Sequence, residues 1–313
     1  MTEPAAESVE LRLRDELARG DATISGARPI LRHLLAHDDG ALFGDETIAR
    51  IRGMLTHLAA QLLFAQAEAA ETDDLAGYVA QREEGLAQAL AEDSVLLAHA
   101  HALTIEAQQA ERLQGASGID AVLPPLVQQL AAAEDAEIAA LAMAVLASQA
   151  RFMQHHRRME LPLGELPGDL FHQALVLYRS HAGARAAAEE AGRRLRTAFD
   201  EGAGRLGLLA RLVMAIDRKA VDTLAIDHAG LAVFVTALAM ASDHERDRAV
   251  LALAEHQFAR LALSLRAAGL AQPAIERQFL LLHPGIELPD GFALLPADRA
   301  VALLAGAEPV AAL

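Results

Sequence analysis

The chain of 313 residues contains no cysteine, which excludes disulfides, thiolate zinc sites, iron–sulfur ligation and cysteine nucleophiles together. It has no tryptophan and only 4% aromatic residues, and no stretch is rich in the β-branched and aromatic side chains that strands favour. Positive charge is scarce. Lys219 is the only lysine, and the formal net charge is −16. Such a surface repels phosphate backbones and anionic headgroups, so neither nucleic acid nor membrane is an expected partner. The longest uncharged apolar stretch, 229–241, falls short of the roughly 20 residues a bilayer span needs. The opening residues, Met1-Thr2-Glu3-Pro4 with Glu7 and Glu10, are acidic and polar, unlike a signal peptide, and a cytoplasmic location is expected.

What the chain does have is alanine and leucine. Hydrophobic residues make up 53% of it, dominated by these two types, which lose little rotamer freedom in a helix. The expected fold is all-α: a multi-helix array of antiparallel helix pairs, with a short irregular α-solenoid as one form of it. Many alanines imply close helix–helix approach, because small side chains let backbones near one another.

Turn signals place the helices. A short helix from Ser8 to Arg19 is expected to stop at Gly20, and Ser25-Gly26-Ala27-Arg28-Pro29 reads as the entry to a helix over 29–37. Asp45 reads as the cap of a helix over 45–70. Its residues Ile48, Ile51, Leu55, Leu58 and Leu62 step by three and four and form one apolar stripe. Intramolecular packing is preferred for that stripe over a coiled-coil dimer seam, which needs more heptads. Thr72-Asp73-Asp74 starts another helix, Gly115-Ala116-Ser117-Gly118 is a break, and Asp169 reads as the cap of a helix reaching His181. Further helices are expected at 184–200, 205–216, 218–227, 229–241 and 244–268, the last ended by Gly269, with short ones at 273–282 and 298–305. The segment Leu161-Pro162-Leu163-Gly164-Glu165-Leu166-Pro167-Gly168 cannot continue a helix. It divides an N-terminal helical subdomain, 1–160, from a C-terminal one, 169–313, and its apolar character predicts a packed connection over 161–168.

Glu92-Asp93-Ser94-Val95 is echoed 42 residues later by Glu134-Asp135-Ala136-Glu137, each followed by an Ala-rich helix, and a partial third copy starts at Asp243. A period near 40 residues is that of stacked helix pairs. The segments Asp135-Ala136-Glu137-Ile138 and Asp243-His244-Glu245-Arg246 resemble the start of the second helix in HEAT-type repeats. Ile138 stands at the family's apolar position, with Ala139 where an Arg is expected; in the later copy Arg246 and Asp247 hold those two positions. The resemblance covers about 92–106, 134–150 and 243–257 and implies a scaffold that offers surfaces.

Candidate chemistry is thin. His33 and His37 are four apart and share a helix face, as a chelate requires, but Leu34 stands where the zinc-protease pattern needs Glu. His37-Asp38 resembles the metal pair of HD phosphohydrolases, without the further His and Asp that family uses. His99 and His101 point to different sides of a helix. His155-His156-Arg157-Arg158 suits the negative end of a helix dipole. No histidine has a Glu three positions before it, so the Glu-x-x-His pattern of di-iron bundles is absent. Asp38-Asp39 and Asp73-Asp74 lack the third Asp of an Asp-rich magnesium motif, and Gly202-Ala203-Gly204-Arg205-Leu206-Gly207 lacks the P-loop Lys and reads as a helix–helix turn. No catalytic, cofactor-binding or metal residue is therefore named, and no cofactor is expected.

Two functional readings follow, a non-enzymatic one being expected ahead of an enzymatic one. The first is a helical interaction or adaptor protein that presents an apolar groove to a protein or peptide, with homo-oligomerisation through an Ala-rich face open. The alternative is a small-molecule-binding or enzymatic helical domain with a pocket between the two halves, polar groups converging from His172, Tyr178, His228 or His256.

Overall fold

A computed structural model describes residues 3–36, 45–183, 185–216, 221–254 and 257–306. Among them the chain forms fifteen α-helices and no strand, as the composition requires. In chain order these are α1 (Glu3–Ala36), α2 (Asp45–Ala69), α3 (Leu75–Ala80), α4 (Glu83–Glu92), α5 (Ser94–Ser117), α6 (Pro125–Ala131), α7 (Ala136–Arg157) and α8 (Gly168–His181). There follow α9 (Arg185–Ala198), α10 (Arg205–Ala215), α11 (Ile226–Ser242), α12 (Arg246–Leu251), α13 (Phe258–Ala267), α14 (Gln272–Leu282) and α15 (Ala297–Gly306).

Two compact units are present, each assembled from separated stretches of chain. One comprises 28–104 and 147–208; the other comprises 1–27, 105–146 and 209–313. The 161–168 segment lies inside the first.

That first unit is organised by α2, which packs against α3, α4, α8 and α9. The whole predicted stripe of α2, from Ile48 to Leu62, is buried, so it forms core here and not a dimer seam. Leu86 and Leu90 of α4 and Leu170, Ala174 and Leu175 of α8 join it. Each such aliphatic burial stabilises by roughly 1.5–3 kcal/mol. The 161–168 segment packs into this core, with Leu161, Leu163 and Leu166 buried as its apolar character predicts, although it joins no two units. Its backbone is read by α2: Gln61 Nε2 donates to the Leu161 carbonyl at 2.9 Å, and Gln61 Oε1 accepts from Leu163 N–H at 2.9 Å. The side-chain amide thus pairs with residues 161 and 163 as a neighbouring strand would. Leu161 N–H donates to His57 Nδ1 at 3.1 Å, which satisfies the last free group of that residue.

Several predicted boundaries move. Gly20 does not stop a helix, and no entry occurs at 25–29; α1 runs unbroken from Glu3 to Ala36 with Pro29 inside it. Glycine serves contact here, since a Cβ at Gly20 would lie 2.7 Å from Gln257 Oε1, and Gln257 Nε2 donates to the Gly20 carbonyl at 2.7 Å. Gly115 lies within α5, which ends instead in a left-handed Gly118. There Gly118 N–H bonds the Gln114 carbonyl, the single 5→1 bond of an αL closure, and Ile119 N–H reaches the Leu113 carbonyl. Asp169 is not the cap of α8. Pro167 holds that position, and the carboxylate that accepts from the first-turn Gly168 N–H is Glu201, at 3.1 Å. The single helix expected over 244–268 is two, α12 ending at Leu251 and α13 starting at Phe258. Of the expected 218–227 helix, the described residues form one 3-10 turn, Val221–Leu224, before α11.

The echoed acidic turns do share one geometry. Asp93 Oδ1 accepts from the N–H groups of Val95 and Leu96, and Asp135 Oδ1 from those of Glu137 and Ile138. Asp120 accepts from Val122 and Leu123 N–H in the same way in the non-helical turn before α6, so the motif is a turn device not confined to helix starts. The third copy departs from it: Asp243 is left-handed and ends α11. The short helices before the two matched turns also differ in partner, α4 packing on α2 and α6 on α11.

In the second unit α11 is the innermost helix, buried along almost its whole length and in contact with α6, α12 and α13. It breaks at Gly230, whose φ of 72° only glycine adopts freely and whose Cβ would meet Pro124 at 2.7 Å. A buried ion pair crosses this core. Arg246 holds the carboxylate of Glu106 through two bonds of 2.8 and 2.7 Å and donates through Nε to Thr236 Oγ1 at 3.0 Å. Burial alone would lower the Arg246 pKa, but the Glu106 carboxylate, through charge and hydrogen bond, carries it above the usual arginine value. Stranding one charge of such a pair costs about 3–5 kcal/mol. Glu106→Leu should therefore lose stability of that order in urea denaturation, and Glu106→Leu/Arg246→Leu should recover at least half of it. A single-variant loss below about 1 kcal/mol would show that the pair is not buried as described.

Candidate ligand pocket

The stripe of α2 continues past Leu62 to Gln66, the next position on the same face. An amide there enters the core, and Gln66 is only 1% exposed. On α8 the buried face runs through Leu170, Phe171, Ala174, Leu175 and Tyr178, so the tyrosine reaches the same region from the opposite side of the connection at 161–168. Gln66 and Tyr178 line a cavity of about 310 Å³ together with Leu63, Leu86, Arg82, His181, Ala182 and Gly183. All of these residues belong to one compact unit.

Two of the cavity's lining residues carry buried polar atoms. Gln66 Oε1, Gln66 Nε2 and the Tyr178 hydroxyl are buried and have no hydrogen-bond partner within the protein. A buried polar group left in that state costs about 1–3 kcal/mol, and most are paired. Burial pushes the Tyr178 pKa well above its ordinary value, with Tyr78 adding to the effect, so the phenol keeps its proton. Arg82 stands between α3 and α4 with its guanidinium 4.0 Å over the Tyr78 ring. One of its nitrogens donates to the Tyr78 carbonyl at 3.0 Å. The site therefore combines buried leucines, a buried amide and phenol, and an exposed arginine stacked on Tyr78.

Two other concavities are of different character. One, in the same unit, is lined by Phe152, His155, His156, Glu160 and Arg205 but encloses only about 20 Å³, room for about one water molecule. Its groups are engaged: Arg205 stacks on Phe152 at 3.7 Å and reaches Gln149, and His155 Nδ1 lies 2.7 Å from Glu160 Oε2. The other, about 460 Å³ in the second unit, is lined by Gln109, Arg112, Phe258, Leu282 and His283. There Arg112 is held by Gln109 at 2.8 Å and by the Leu282 carbonyl at 2.9 Å.

The residues singled out in the sequence are mostly elsewhere. Of the polar groups suggested for a pocket, only Tyr178 lines this one; His172 is exposed on α8, His228 is half-buried in the other unit, and His256 lies outside the described residues. His37, Asp38, Asp39, Lys219 and the side chain of His33 also fall outside them. Asp74 caps α3 by accepting from Gly77 N–H at 2.8 Å. His155, His156 and Arg157 occupy the last turn of α7. The glycines of 202–207 form a 3-10 turn and the start of α10. Among the described residues no three His, Asp or Glu side chains come together to hold a metal ion. Gln66 and Arg82 were not anticipated, although a Gln at the next stripe position after Leu62 is a readable signal.

Comparison of the chain with protein-family models, with curated proteins and with solved structures finds no match. What the fold defines is an all-α helical array.

One titration should be visible in this unit. His99 is buried on α5, and burial lowers the pKa of His101 from 6.5 to about 4. A depressed histidine pKa favours the fold at and above the unfolded value and loses that contribution as pH falls, because the unfolded chain takes up the proton first. Between pH 7 and pH 5 the wild type should lose about 2 kcal/mol to this group. His101→Gln should flatten the slope of unfolding free energy against pH over that window. An unchanged slope would show that His101 protonates freely in the folded protein.

Proposed function

We propose that this chain is a non-enzymatic helical protein that binds a small molecule in the Gln66–Tyr178 pocket. The observation that supports it is a cavity of about 310 Å³, within the size range of ligand pockets, with three buried polar atoms that lack a protein partner on two of its lining residues. A core that needed only stability would place leucine and phenylalanine at these positions; an amide and a phenol are useful where a ligand completes their hydrogen bonds. Binding fits better than catalysis, because an amide does not titrate and the Tyr178 phenol is held neutral. The pocket draws on chain from both sides of 161–168, through Leu63 to Leu86 and Tyr178 to Gly183.

A second reading, a helical interaction protein presenting an apolar surface to a protein or peptide, is supported by α7. This helix is long and apolar enough to cross a bilayer by length and composition, with a mean hydropathy of 1.3 over its most apolar window, of which 28% is buried. Met143 on it is 56% exposed.

The pocket reading is tested by stability and binding together. Gln66→Leu and Tyr178→Phe remove the unsatisfied groups and should raise Tm, by about 2–4 °C for each kcal/mol recovered. Both should abolish the signals that a small-molecule fragment library gives with wild type in ligand-observed NMR. Variants that lower Tm and bind the same fragments as wild type would assign Gln66 and Tyr178 to the core alone.

A further inference from the structure

The end of α7 is closed by residues that titrate. Met159 N–H bonds the His156 carbonyl at 3.1 Å and Glu160 N–H the His155 carbonyl at 2.9 Å, the two bonds of a Schellman motif. Two features depart from the usual form of that motif. The left-handed position, with a φ of 57°, is held by Met159 where glycine is the common choice. The two side chains that ordinarily make an apolar contact across the closure are His155 and Glu160, with His155 Nδ1 2.7 Å from Glu160 Oε2. A left-handed residue other than glycine persists only where its surroundings hold it. Here α2 does so: Gly53 leaves room for Met159, whose Cβ would lie 2.5 Å from a Cβ at position 53, and Arg50 Nη1 donates to the His156 carbonyl at 3.2 Å. Directly after the closure, the N–H groups of Leu161 and Leu163 are taken up by His57 and Gln61 of α2.

We propose that this closure is a proton-operated latch, in which protonation of His155 tightens its hold on Glu160 and fixes the start of the 161–168 segment against α2. A neutral imidazole gives the carboxylate an ordinary hydrogen bond, and an imidazolium gives it a charge-assisted one, roughly twice as strong. Both side chains are 30% exposed, so protons reach the pair and solvent moderates it. The other titratable and charged groups facing the pair are His57 of α2, His156 and Arg158 of the α7 end, Glu165 of the connection and Arg205 of α10. Arg205 stacks on Phe152 and its N–H donates to Glu165 at 2.7 Å, which occupies those two with each other. The carboxyl of Glu160 is held below its usual pKa, first by the His155 hydrogen bond, against the opposing effect of burial, with the charges of His57, His155 and Arg158 adding to it. Glu160 is therefore ionised throughout the range in which a histidine ordinarily gains its proton, around pH 6.5. The latch closes as pH falls towards 5.5 and opens again only when Glu160 itself is protonated. This sign is opposite to that of the buried His101, which weakens the whole fold over the same acidification. It is also opposite to that of His57, which accepts from Leu161 N–H only while its Nδ1 is bare.

The experiment is amide hydrogen exchange of the full-length protein between pH 8 and pH 5.5. The readout is the protection of the Glu160 and Leu163 N–H groups relative to those of Leu58 and Leu62 in α2. In wild type this ratio should rise about threefold on acidification, the size expected of a half-exposed ion pair. Glu160→Gln and His155→Gln should each hold it constant, and His57→Asn should leave the rise in place. A constant ratio in wild type would overturn the latch. A rise that survives in Glu160→Gln or His155→Gln and disappears in His57→Asn would also overturn it, assigning the proton to His57.

Discussion

A polar group removed from water must find a partner, and this constraint organises the protein more than any single hydrophobic contact. Alanine and leucine supply helices and apolar area in abundance but contribute no side-chain hydrogen bonds. The few polar residues that enter the interior therefore hold defined positions. Asp74, Asp93 and Asp135 accept the free N–H groups at helix starts, and Asp120 does the same for a turn. Gln61 and His57 take up the backbone of Leu161 and Leu163, where two prolines and two glycines have ended the helix. Glu106 and Arg246 neutralise each other in the second unit. The amide of Gln66 and the hydroxyl of Tyr178 are among the buried groups that no protein atom satisfies, and these two residues line one cavity.

Chain continuity and compactness are separate matters here. The two compact units are each built from non-consecutive stretches, and several helices contribute residues to both of them. Within each unit, long-range contacts join distant parts of the sequence. Arg299 on α15 holds Glu10 on α1 through paired bonds of 2.7 and 2.6 Å, and Arg260 on α13 pairs with Asp21. Such contacts carry no local sequence signal, because both partners look like ordinary surface charges when read in order.

This explains which features were legible in the sequence. Helical periodicity identified the α2 stripe, and turn chemistry identified Gly118 and Gly269 as stops, since both act within one or two turns of helix. The packed 161–168 segment was legible because apolar residues in a helix-breaking stretch have few other fates. Gly20 was misread because glycine serves close approach as readily as termination, and only the position of Gln257 decides between them. Asp169 was misread for a similar reason: the capping carboxylate comes from Glu201, on another element. The break between α12 and α13 was hidden by an apolar pattern that both sides satisfy separately. At the pocket, Tyr178 was named in the sequence reading and Gln66 was not, although an amide following Leu58 and Leu62 at helical spacing departs from the stripe's own rule. Arg82 had no signal at all, because its role depends on where α8 ends.

The most direct measurement is a high-resolution crystal structure of the protein purified from its native source. The account predicts electron density within the cavity bounded by Leu63, Leu86 and Tyr178, from a small molecule or ordered waters hydrogen-bonded to both the Gln66 amide and the Tyr178 hydroxyl. A collapsed cavity, with Gln66 and Tyr178 bonded to each other or to neighbouring backbone, would contradict it.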